Sequence, residues 1–149
     1  MKRLVLVSVH PAPSPQAIPL ACGFLKAALH GDPVETEMID LYLSEPADRH
    51  LERIAEQQPT AVAFSVYLWN RSACRSMALR LKELLPQALL FCGGPEATAD
   101  PAGLLAEGCW DFVVAGEGEE TVRAVCRGLA NETPLTEISG VATLVDGTL

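Results

Sequence analysis

Two rhythms of apolar and polar residues alternate along this chain. Nearly unbroken apolar runs occupy positions 3–9 (RLVLVSV), 60–66 (TAVAFSV), 88–92 (ALLFC) and 111–115 (DFVVA). Between them, apolar residues return every third or fourth position, the period of a helix with one buried face. The spacing predicts helices over about 16–30 (Ile18, Ala21, Cys22, Leu25, Ala28, Leu29 inward), 47–58 (Leu51, Ile54, Ala55), 71–85 (Cys74, Met77, Ala78, Leu81, Leu84, Leu85) and 118–129 (Val122, Val125, Cys126, Leu129). A further helix opens with Asp100 as N-cap and Pro101 at its first position, and Gly108 closes it. The segment 34–41 (VETEMIDL) differs, because Val34, Thr36 and Met38 alternate with Glu35 and Glu37 as in a half-exposed edge strand.

Continuous apolar strands are the mark of a parallel sheet covered by helices on both faces. Five strand–helix repeats require right-handed crossovers. The expected fold is α/β, a doubly wound, flavodoxin-like or Rossmann-like parallel sheet of order 2-1-3-4-5. The end, ISGVATLVDGTL, reads as the start of a further C-terminal strand with an Asp146-Gly147 turn. The turn has no second strand after it. Positions 1–149 therefore read as one domain of a longer protein.

Composition narrows the function. The formal net charge is −8, and an acidic surface argues against nucleic acid or an anionic membrane as partner. No apolar run approaches the ~20 residues of a bilayer span, and the start reads as a strand, not a signal peptide. The five cysteines are widely spaced without CxxC, which suits reduced, buried thiols in a cytoplasmic protein and disfavours a zinc or iron–sulfur site.

Candidate chemistry lies in the loops after the strands, where open parallel sheets bind ligands. These loops read HPAPSPQ, YLWNRS, GGPEAT and GEGEET. Gly93-Gly94 offers bare backbone to a ligand, or simply a tight turn. Gly116-Glu117-Gly118-Glu119 opens a helix, and its acids suit the helix dipole but repel phosphate. Neither GxxxxGK[ST] nor a GxGxxG after the first strand is present, so nucleotide sites are disfavoured. Tyr67, Trp69 and Asn70 could face a ligand, or be plain hydrophobic cover with Asn70 as a cap for the helix after it. Ser65 could bond a ligand or its own backbone. His10 stands alone, and no nucleophile–base set is legible.

Taken together and in order, FSVYLWN, LLFCGGPEATADP and DFVVAGEGEET resemble the N-terminal cobalamin-binding domain of cobalamin-dependent radical S-adenosylmethionine enzymes. SPQAIPLACGFLKAAL also resembles the first helix of one branch of that family. The resemblance covers nearly the whole chain. It implies cobalamin as cofactor, with Ser65, Val66, Tyr67, Asn70, Gly93, Gly94, Pro95, Glu96, Gly116, Glu117, Gly118 and Glu119 around it. Ser65 would meet the nucleotide tail, as the Ser of a Ser-x-Leu motif does in the wider family; here the third residue is Tyr67. Gly93 and Gly94 would let the tail run along bare backbone, so Gly94→Val is expected to abolish corrinoid binding with the fold mostly intact. Tyr67 to Asn70 would lie under the corrin face. The DxHxxG motif of many cobalamin domains is not matched, since Ser8 and Pro13 stand for its Asp and Gly, so no His is expected on cobalt. CxxxCxxC is absent, so S-adenosylmethionine and a 4Fe-4S cluster would belong to a downstream radical domain, the expected partner, with methyl transfer or related radical chemistry as its activity. Three readings without cobalamin stand beside this one: a cofactor-free interaction domain of the same fold, a receiver-like domain, and a flavodoxin. Missing acids disfavour the receiver, and a proline-filled first loop disfavours the flavodoxin.

Overall fold

A computed structural model describes residues 2–131 and 133–144. Its strands are β1 (Arg3–His10), β2 (Glu35–Tyr42), β3 (Ala61–Ser65), β4 (Leu89–Gly93), β5 (Phe112–Val114) and β6 (Val141–Ala142). Its helices are α1 (Leu20–Ala28), α2 (Ala47–Ala55), α3 (Arg71–Leu84), α4 (Pro95–Ala99), α5 (Pro101–Ala106) and α6 (Gly118–Ala130). The sheet order is β2-β1-β3-β4-β5-β6, with the first five strands parallel and β6 antiparallel to β5. The doubly wound sheet and the 2-1-3-4-5 order expected from the apolar pattern are present, with the further C-terminal strand beside β5.

The continuous apolar runs have a simple cause. Alternate residues of each strand enter opposite cores. Val5, Val7, Val9, Val62, Phe64 and Cys92 pack with Cys74, Met77, Leu81, Leu51 and Ile54 from α3 and α2. Leu4, Leu6, Ala63, Phe91, Phe112 and Val114 pack with Cys22, Val122, Val125 and Cys126 from α1 and α6. Both faces are covered by helices, so both strand periods must be apolar.

Local differences from the sequence reading have local reasons. The first helix begins at Leu20, not near residue 16, because Pro19 disfavours helical backbone in the residue before it. Ile18 is therefore outside the helix and exposed. Leu84 is exposed as well, because the inward stripe of α3 continues through Leu81 to Leu85 instead. The second helix stops at Ala55, and Gln58 takes a positive φ of 50°. A short helix, α4, stands where a loop was expected after Gly94, with Pro95 at its first position. The Asp100 cap forms, its carboxylate accepting from the Gly103 N–H at 2.9 Å. The Asp146-Gly147 turn lies outside the described residues.

Candidate functional site

At the carboxyl edge of the sheet, α1 and α6 do not close against each other. Between them a slot of about 350 Å³ runs down to the strands. Its floor is Leu6, Ala63 and Phe91; its walls are Leu25 and Cys22 on one side and Val122 and Val114 on the other. Ser65, Gly93, Gly94 and the stretch Gly116 to Glu119 form its rim. The topology explains the convergence. Ser65 and Gly93 are register partners at the ends of β3 and β4, and the β5–α6 loop lies beside them.

The glycines differ in what they do. Gly94 has φ 105°, and a Cβ there would stand 2.8 Å from the Val66 carbonyl oxygen. That backbone is fixed, because Val66 N–H donates to Gly93 O at 2.8 Å and Glu96 N–H donates to Val66 O at 3.3 Å. Gly94 is therefore required by the turn itself, so Gly94→Val disturbs the fold instead of sparing it. Gly93 carries no such strain, and its Cβ would make ordinary contact with Val114 at 3.6–3.7 Å on the slot wall. A Cβ on Gly118 would stand 3.2 Å from Leu25 Cδ2, across the gap between α6 and α1. Gly116, at φ 82°, has nothing within 4 Å of its Cβ position. A hydroxyl joins the two glycine loops: Thr98 Oγ1 donates to Gly94 O at 3.2 Å and accepts from Gly116 N–H at 2.9 Å.

The other nominated residues lie outside the slot lining. Val66 is fully buried in the opposite core. Asn70 is 1% exposed, and its amide is spent on backbone. Its Nδ2 donates to Ser65 O at 3.1 Å and Val9 O at 3.3 Å, and its Oδ1 accepts from Tyr67 N–H at 2.8 Å. It stands at the N-cap position of α3 without capping it; it ties the ends of β1 and β3 together. Glu96 turns to Arg71 at 3.2 Å, which also meets Asp100 and Glu107; these bonds raise the already high pKa of the guanidinium. Pro95 starts α4 and is exposed. Tyr67 stacks on Trp69 at 5.8 Å and borders a second hollow of about 200 Å³ with His10, next to the slot through Ser65. His10 is held at 3.1 Å from Asp40.

Sequence reading missed the outer wall. Leu20, Ala21, Phe24 and Leu25 border the slot, and Leu20 and Phe24 are 62% and 59% exposed. Ala21 and Leu25 had the spacing of core residues, and the pattern alone cannot tell a core from a slot. The wall is pinned at its far end. Asp32, with a side chain only 5% exposed, pairs with Arg127 at 2.7 Å and Arg123 at 3.3 Å. Arg123 also donates to Ala28 O at the end of α1. Within the slot, burial pushes the Cys22 thiol pKa up, partly offset by the Ser8 hydroxyl, which donates to Cys22 Sγ at 3.1 Å. All five cysteines are buried. Among the described residues no group of three or more His, Cys, Asp or Glu could hold a metal ion, and no helix is long and apolar enough to cross a membrane.

Fold and slot define a class: a doubly wound α/β domain with an open slot between two helices at the carboxyl end of its sheet, the edge at which open parallel sheets bind ligands. The B12 binding domain family matches residues 4–126, and the chain belongs to that family. A hopanoid C-3 methylase of Methylococcus capsulatus is 30% identical over 149 residues, 91% of this chain and 28% of that protein. The cobalamin-dependent radical SAM methyltransferase TokK of Streptomyces tokunonensis is 27% identical over 131 residues, 84% of this chain and 19% of that protein. The chain thus spans well under a third of these two curated relatives. The radical S-adenosylmethionine methyltransferase TsrM from Kitasatospora setae, solved with cobalamin and a [4Fe-4S] cluster bound, superposes with a TM-score of 0.76 at 24% identity, covering 98% of this chain and 28% of that one.

Proposed function

We propose that this chain holds cobalamin by its nucleotide tail in the slot between α1 and α6. It presents the corrin ring at the carboxyl edge to a radical S-adenosylmethionine domain of the same protein, for methyl transfer or related radical chemistry. The observation that carries the reading is the slot itself, apolar inside and edged by backbone at Gly93, Gly94, Gly116 and Gly118. The residues present fit the group. At Gly93 and Gly118 a side chain would stand on or across the slot, and a long, thin ligand arm needs that space.

Within the reading, each residue has a task. Ser65 and the glycine loops line the entry for the tail. Asn70 fixes the β1 and β3 ends from below, and the Tyr67–Trp69 stack covers the hollow beside the slot mouth, under the expected corrin face. Cobalamin, when bound, supplies a cobalt centre able to carry a methyl group; the domain supplies position and surroundings. The five buried thiols suit a reducing, cytoplasmic setting.

The test is titration of the purified chain with hydroxocobalamin. Binding appears as a shift of the visible spectrum and as cobalt retained on a desalting column. No shift and no retention favour the cofactor-free interaction domain. A CxxxCxxC motif in the protein's downstream sequence checks the radical domain separately.

A further inference from the structure

The polarity of the slot is graded, and the gradient bears on which corrinoid it accepts. At the rim stand Ser65, the backbone of the glycine loops, and Glu117 and Glu119. Deeper, the lining turns to carbon: Leu6 and Phe91 are 0% and 1% exposed and Ala63 6%, with Val122 above them. One further polar pair stands level with the rim, two residues beyond Leu6 along β1, and its members satisfy each other, because Ser8 Oγ donates to Cys22 Sγ. Burial disfavours the Cys22 thiolate, so this pair adds no charge to the slot. A ligand arm that enters therefore meets hydrogen-bonding groups first and hydrocarbon last. A polar atom carried to the inner end would lose its water and gain no partner among the described lining residues.

We propose that the slot selects corrinoids whose nucleotide ends in an apolar bicyclic base, as the dimethylbenzimidazole of cobalamin does, over those ending in a purine. This rests on the tail-in-slot reading above. A benzimidazole offers hydrocarbon edges that match Leu6, Phe91 and Val122. Adenine carries an exocyclic amine and extra ring nitrogens that those residues cannot satisfy. Phosphate, ribose and corrin are common to both ligands, so rim charges at Glu117 and Glu119 cancel in the comparison.

Equilibrium titrations of the full chain with hydroxocobalamin, its adenine-base analogue and cobinamide, which lacks the nucleotide, test this. Hydroxocobalamin is expected to bind tightest, with the adenine analogue ~10- to 100-fold weaker, the range an apolar pocket achieves against an unmatched polar group. Cobinamide should also bind more weakly than hydroxocobalamin. Val122→Thr places a hydroxyl in the inner wall and should narrow the gap between the two bases. Equal affinity for the two bases, equal affinity for cobinamide and hydroxocobalamin, or a gap unmoved by Val122→Thr each overturns the selectivity. Failure of all three corrinoids to bind overturns the cobalamin reading first, so the two failures are distinguishable.

Discussion

Replacing each glycine of the Gly93-Gly94 pair by alanine separates a demand of the turn from a demand of the slot. At Gly94 the backbone has φ 105°, where an L side chain is strained by about 1–3 kcal/mol. The new Cβ would also press on the Val66 carbonyl oxygen at 2.8 Å. That oxygen cannot retreat cheaply, because it accepts from Glu96 N–H while Val66 N–H is held by Gly93 O. Overpacking adds a cost of similar size, so Gly94→Ala is expected to destabilise by about 3 kcal/mol. For a chain of 149 residues this lowers Tm by about 6–12 °C. Gly93→Ala meets only Val114 at 3.6–3.7 Å, with no positive φ, so its stability should stay within about 1 kcal/mol of the parent. Its methyl sits on the slot wall, so its loss should appear in hydroxocobalamin affinity instead. Urea unfolding followed by circular dichroism gives the stabilities, and absorbance titration gives the affinities. A Gly94→Ala protein as stable as the parent would show that the turn tolerates a side chain there, and a Gly93→Ala protein that unfolds early would show that Gly93 serves the turn as well.

Three further outcomes are expected. Gly118→Val should keep the fold, since the contact at 3.2 Å is the flexible end of Leu25, yet weaken hydroxocobalamin binding more than tenfold by narrowing the gap between α6 and α1; unchanged affinity in the titration would place the ligand elsewhere. Thr98→Val removes the hydroxyl that joins Gly94 O to Gly116 N–H and should weaken binding several-fold, about the worth of one hydrogen bond, with Thr98→Ser restoring it and hydrogen exchange at Gly116 speeding up in the valine variant alone. Burial raises the thiol pKa of every cysteine, to about 11 at Cys109 and Cys126 and about 12 at Cys74. Above pH 9 the unfolded chain loses thiol protons that the folded chain keeps, so this stability is complete below pH 9 and lost as pH rises toward 11–12; the urea midpoint should fall across that window, and a flat profile would count against buried thiols.

Much of this protein was legible in its residue pattern. Unbroken apolar strands demanded two covered faces, and the alternating Val34–Leu41 stretch put the second strand at an edge. Asp100 followed by Pro101 marked a helix start because cap chemistry is local, written within a few residues. The rim of the slot was also readable, since the loops after parallel strands share one edge whatever their contents. Other features depended on long-range packing. The helical spacing of Ala21, Cys22 and Leu25 looked like one more core stripe; only the gap between α1 and α6 turned it into a slot wall. Asn70 looked like a cofactor contact or a cap, and its place beneath the strand ends, against Val9 and Ser65 carbonyls, needed β1 brought beside β3. Gly93 and Gly94 are identical in sequence terms. Their separate duties follow from φ and from the nearness of Val66 and Val114, which local residue order does not record. Periodicity encodes which side of an element faces inward; whether that side meets protein or open space is settled only when the elements assemble.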